Sequence, residues 1–161
     1  MHRYFTSISA SVMYSKGELK QQKKEFWEGF GIYCSNHPVL GKRKSKFMLY
    51  NTKMKGVELK FDATREGAFV ILELNSLNET ERLAKFELLK QYKMLMEKNF
   101  PAGLIWNFAY ELDSGREVCR IYSQKTGIDI HRRIHWMEFY RFMAEEMLKL
   151  EKAFKNCPLT P

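Results

Sequence analysis

Along residues 57–75 the chain reads VELKFDATREGAFVILELN, in which apolar side chains alternate through Val57, Leu59 and Phe61 before a run of Ala68, Phe69, Val70, Ile71 and Leu72. Period-two alternation rich in β-branched and aromatic residues is the mark of strands, and the intervening turn at Ala63–Gly67 predicts a β-hairpin. Upstream, Phe47–Thr52 predicts a first short strand, joined to the hairpin by a tight turn at Lys53–Gly56. Downstream, Leu104–Leu112 and Glu117–Tyr122 predict a second hairpin closed by Asp113-Ser114-Gly115, and Ile128–Ile130 is expected to extend the sheet briefly.

The period changes to that of a helix in three places. Over residues 15–34, Phe26, Phe30 and Tyr33 share a stripe, with Trp27 and Cys34 beside it and lysines opposite. Gly29 and Gly31 weaken the last turns, and Pro38 and Gly41 end any continuation. A second helix opens at Asn78, whose spacing to Glu81 resembles a capping box. Its stripe runs through Leu83, Phe86, Leu89, Tyr92 or Lys93, and Met96, and Pro101 stops it. The last helix starts near His135, carries Trp136, Phe139 or Tyr140, Met143, Met147, Leu150 and Phe154, and ends before Pro158. The order α-βββ-α-ββ-α does not alternate strictly, so the expected class is α+β, a mostly antiparallel sheet packed by helices. If the long second helix joins two parallel strands, the crossover is expected to be right-handed.

A chain of 161 residues is long enough for one domain, and 45% hydrophobic residues is the content of a globular chain, not a disordered one. Cys34, Cys119 and Cys157 are odd in number and far apart, which is neither a disulfide framework nor a metal spacing. Buried free thiols in a reducing compartment, hence a cytoplasmic location, are expected. No apolar run approaches the roughly 20 residues that span a bilayer, so no membrane partner is expected. The start, MHRYFTSISASVMY, lacks the apolar core of a signal peptide.

Charge is unevenly spread. The net +8 lies wholly in residues 1–56, which hold 11 Lys+Arg against 3 Asp+Glu, whereas residues 57–161 hold 16 of each. Lys20, Lys23 and Lys24 in the first helix, and Lys42, Arg43, Lys44 and Lys46 in the loop after it, form a patch that would attract the phosphates of DNA or RNA. A solvated helix face has the same composition. Arg132 and Arg133, at the start of the last helix, could add phosphate contacts.

Several stretches in order resemble an uncharacterised bacterial family, domain of unknown function forty-two sixty-eight: Met13-Tyr14-Ser15-Lys16, Glu25-Phe26-Trp27-Glu28-Gly29-Phe30, Leu49-Tyr50-Asn51-Thr52-Lys53, and Arg120-Ile121-Tyr122 with Gly127-Ile128-Asp129-Ile130 and Trp136. The resemblance runs from about Met13 to about Phe154. It implies a stand-alone protein of this length, or a domain that follows a restriction-endonuclease-like one, and it brings no activity. On that reading residues 13–157 are a single domain, and residues 1–12 are a flexible arm or a mis-called start.

The restriction-endonuclease-like core has the order α-βββ-α-β, with an acid on the second strand and (D/E)-x-K on the third; its carboxylates hold Mg²⁺ and its lysine steadies the attacking water. Asp62 and Glu73 have tolerable spacing for the metal-binding pair, but Asn75 stands where the lysine belongs. Glu58-Leu59-Lys60 is a literal E-x-K one strand early. If residue 63 pairs with 68, Glu58 lies opposite Glu73 with Lys60 diagonal to it, an arrangement that needs a cation or proton between the carboxylates. The bland alternative is that Lys60 neutralises two glutamates on an ordinary sheet. His131 and His135 stand four apart, a zinc spacing, but arginines lie between them and no third ligand is evident. Methionines Met94, Met96, Met137, Met143 and Met147 point to an adaptable core or to a partner face.

Three readings follow. The first is a non-catalytic domain that binds nucleic acid or a protein through the basic first helix and loop, with no cofactor. The second is a divergent Mg-dependent nuclease using Glu58, Lys60, Asp62 and Glu73. The third is a homodimeric interaction module built on the last helix.

Overall fold

A computed structural model describes residues 15–43 and 50–159. The expectations for Met1–Val12, for Lys44 and Lys46, and for most of the strand at Phe47–Thr52 fall outside the described residues. Helix α1 spans Lys16–Ser35 and the strands are β1 Tyr50–Asn51, β2 Val57–Thr64 and β3 Gly67–Leu74. Then come helices α2 Glu79–Gln91 and α3 Lys93–Met96, strands β4 Ile105–Glu111 and β5 Glu117–Lys125, and helix α4 Trp136–Lys155. This is the expected α+β arrangement.

The five strands lie in the order β1-β2-β3-β5-β4, and every neighbouring pair is antiparallel. Because β5 sits between β3 and β4 and opposes both, β3 and β4 run parallel but do not touch. The connection through α2 and α3 therefore crosses over a strand that the chain adds later.

Ala63 pairs with Ala68, so Val57, Leu59 and Phe61 face Leu74, Leu72 and Val70 across β2 and β3. This alternation sends one face of the sheet to the core, where Leu72, Leu74 and Val70 are fully buried against Phe30, Phe139 and Met143. Helix α4 lies over β3 and β2, and α2 over β3 and β5. Helix α1 packs on α4, edge to face through Phe26 with Phe139 and Trp136, and reaches the sheet where Phe30 meets Phe61 at 5.0 Å. Gln22–His131, Glu25–Arg133, His37–Glu145 and Arg43–Glu151 join the two segments at a near-constant separation of 108 or 109 residues. A constant offset means that the segments run parallel, side by side. The Tyr140 hydroxyl adds a buried hydrogen bond, donated to the Phe26 carbonyl at 2.7 Å.

Several expectations need correction. The second helix does not run unbroken to Phe100: it breaks at Tyr92 (φ −102°, ψ 24°), and the short α3 that follows buries Met96 while leaving Met94 90% exposed. Asn78 does cap it, accepting the Glu81 N–H at 3.0 Å, but the Glu81 carboxylate bonds the Ser76 hydroxyl. Ile128–Ile130 is loop, not strand; both isoleucines are buried and the Ile130 N–H donates to the Thr64 carbonyl. On α1 the buried stripe is Phe26, Phe30 and Cys34, with Tyr33 at its margin. Met143 and Met147 are core residues on α4, so the last helix offers only Met137 among its methionines to a partner. The three cysteines are free and buried, and burial pushes the Cys34 thiol up to about 12, which makes it inert.

Candidate functional site

Alternation along β2 sends Glu58, Lys60 and Asp62 to the sheet face away from the core, and the register sets Glu58, Glu73, Arg120 and Asn107 in one row across four strands. Two carboxylates directly opposite each other repel. Here the cation between them is Lys60, whose Nζ lies 2.8 Å from Glu73 and 3.3 Å from Glu58. The other Glu73 oxygen accepts from Arg120 at 3.0 Å, Asn75 donates a further bond at 3.3 Å, and Arg120 stacks on the Tyr110 ring at 4.0 Å. The Glu73 side chain is only 2% exposed. Burial alone would raise its pKa, but the bonds from Lys60, Arg120 and Asn75 outweigh burial and hold it below the ordinary value of 4.5.

This arrangement does not suit the Mg²⁺ that a nuclease would need. Both Glu73 oxygens are taken by cations and an amide. Asp62 lies four residues along the strand from Glu58, about 13 Å away, opposite Phe69, and its carboxylate accepts the Ala63 N–H. Among the described residues no group of three or more His, Cys, Asp or Glu side chains gathers as a metal ion requires. His131 and His135 are held within their own loop: His131 pairs with Asp129 at 3.1 Å, and His135 Nδ1 accepts the Asp129 N–H.

The basic residues divide into two sets. Arg43 forms two hydrogen bonds to Glu151, at 2.9 and 2.5 Å. Arg133 bonds Glu25 at 2.6 Å and lies over the Trp136 ring. These two are engaged in joining α1 to α4. Lys20, Lys23, Lys24, Lys42 and Arg132 are exposed, and none forms an ion pair among the described residues. Lys42 lies in the short 3₁₀ turn Leu40–Lys42 past the far end of α1, roughly 20 Å from Lys20 at 1.5 Å per helical residue.

Lys20 and Lys23 border a cleft of about 520 Å³ between α1, the β2–β3 turn and the loop ahead of α4. Arg65 from the turn and His131 from the loop join them, Leu19, Ala63 and Ile130 supply apolar wall, and Glu66 is the one carboxylate. Gln22 lines the cleft as well, 8% exposed; its amide N–H donates to the His131 carbonyl at 3.2 Å, and its Oε1, closed off from solvent, accepts no hydrogen bond among the described residues. Arg65 and Gln22 escape sequence reasoning, the first as an ordinary turn residue, the second because a glutamine beside lysines reads as exposed. Gln22 precedes Phe26 by four positions, which places it on the buried stripe and is the signal that could have found it.

The described residues contain no helix long and apolar enough to cross a membrane. No curated protein and no solved structure matches this chain. A family model does match, over residues 22–157, most of the chain and all the elements from the second turn of α1 to the end of α4. The chain belongs to the family described as domain of unknown function (DUF4268).

Proposed function

We propose that this domain binds the phosphate backbone of DNA or RNA, without catalysis, through the basic edge of α1 and the cleft beside it. One observation carries the reading: Lys20, Lys23 and Arg65 come from two separate segments to one cleft, and none has an ion pair among the described residues. Charges left unpaired and convergent are free to attract a polyanion and release its counterions. Lys24 and Arg132 extend the patch, while Arg43 and Arg133 hold the helices that frame it. Unpaired, buried thiols support a cytoplasmic setting.

Fluorescence anisotropy of labelled oligonucleotides across a salt series tests this reading. We expect micromolar binding that weakens steeply with salt. Arg65→Ala and Lys23→Ala should each flatten the slope of log K against log salt by about 0.7 to 0.9, one phosphate contact apiece. Arg43→Ala, whose guanidinium is held by Glu151, should leave the slope unchanged. Slopes unaltered in the first two variants, or no affinity at low salt, would remove the basis of the proposal.

A further inference from the structure

We infer that a second copy of this chain docks on the exposed face of α1 and α4, so that the protein associates as a two-fold dimer. Most exposed residues of these helices are polar, but Ile32 is 66% exposed and Met137 53%. They border one shallow groove of about 350 Å³, Ile32 from α1 and Met137 from α4, and its walls include Tyr33 and Tyr140. Two large apolar side chains held together in water mark a contact surface. Glu28 stands one turn before Ile32 on α1, and Arg141 one turn after Met137 on α4. Both are exposed, and neither has an ion pair among the described residues.

The register of the two helices decides what fits there. They run parallel, and their cross-links keep an offset of 108 or 109 residues. Met137 is therefore level with Gly29 of α1, and Arg141 with Tyr33. Along the helix axis Met137 precedes Ile32 by about 4.5 Å, and Glu28 precedes Arg141 by about 7.5 Å. Both intervals have the same midpoint, between residues 30 and 31 of α1. A two-fold axis that crosses the helices at that level exchanges the members of each pair. It brings Ile32 of one copy beside Met137 of the other, and Glu28 beside Arg141, with each contact made twice, as an isologous interface requires. A foreign partner would demand no such match within one surface. Two 20-residue helices, each about 30 Å long and roughly 10 Å across, present about 600 Å² per copy, or about 1,200 Å² in all. That is the lower bound for a specific interface, so a dissociation constant in the micromolar range is expected. None of these side chains lines the basic cleft, so the inference stands apart from phosphate binding.

Sedimentation equilibrium of the whole chain, up to about 1 mM protein and at about 0.1 M salt, tests this. Glu28→Arg and Arg141→Glu are each expected to raise the dimer dissociation constant about tenfold, because each turns two attractions into two repulsions. Mixed in equal amounts, the two variants should recover the affinity of the unaltered chain, since opposite charges then meet in both pairs. The double variant, which exchanges the charges within one chain, should do the same by itself. Recovery in the mixture also shows that both single variants fold. A chain still monomeric at the highest concentration would overturn the inference and leave this face to a different protein. Single reversals that change nothing, or a mixture no tighter than its components, would overturn it as well.

Discussion

Glu73→Ala is expected to lower the melting temperature by roughly 10 °C. The substitution leaves Arg120, 13% exposed, and Lys60 without their shared carboxylate. Breaking a buried ion pair from one side costs about 3 to 5 kcal/mol, and Lys60, 38% exposed, can turn to water, which favours the lower figure. For a chain of this size each kcal/mol moves the midpoint by about 2 to 4 °C. The effect carries a pH signature. The folded pKa of Glu73 lies below its ordinary value of 4.5, so its contribution is fully present above that value and is lost as pH falls through the lowered one. Glu73→Gln should therefore be less stable than the unaltered protein at neutral pH, and the gap should close under acid. Denaturant unfolding from neutral pH to below 4 measures this. A midpoint unmoved by Glu73→Ala, together with metal-dependent cleavage that the variant abolishes, would instead make this cluster the nuclease centre.

Gly67→Ala should have a comparable effect on stability and a second one on binding. Gly67 has φ +124°, where side chains are strained, and a Cβ there would overlap the Lys125 carbonyl oxygen at the end of β5. The obstacle is backbone in a paired strand and cannot rotate away. Conformational strain of about 1 to 2 kcal/mol and overpacking of a similar size together suggest a loss of about 3 kcal/mol. The same turn carries Arg65, and Thr64 accepts the Ile130 N–H from the far wall of the cleft. Displacing it should weaken oligonucleotide binding at least as much as Arg65→Ala does. Gly115→Ala is the control: φ is +86° but nothing lies within 4 Å, so only the conformational cost of about 1 kcal/mol applies and binding should not change. Equal effects on stability from the two substitutions would refute the steric argument.

The charge cluster and the cleft differ in how far they can be read from the chain. The Glu58–Glu73 opposition and the Lys60 diagonal follow from a hairpin whose turn is visible in the sequence, and the register places them as that turn requires. Arg120 is a different matter. It lies 47 residues from Glu73, and the two meet only because β5 enters between β3 and β4. A local pattern cannot state which strand will be whose neighbour. The second cation on Glu73, Arg120, depended on that insertion.

By itself the sequence determined the α+β class, the element order, the hairpin register, the buried thiols and the restriction of the excess positive charge to the first 56 residues. Each depends on periodicity, turn chemistry or composition, which are local or additive. Tertiary structure decided the rest. It broke the second helix at Tyr92, after which the short α3 buries Met96, and it kept Ile128–Ile130 as a loop that buries its isoleucines without pairing as a strand. It also divided the basic residues. Glu151 and Glu25, both distant in sequence, neutralise Arg43 and Arg133, while Lys20, Lys23 and Arg65 are left to converge around Gln22. A charge is available for binding only when no partner has taken it, and partners are assigned by contacts between segments about a hundred residues apart.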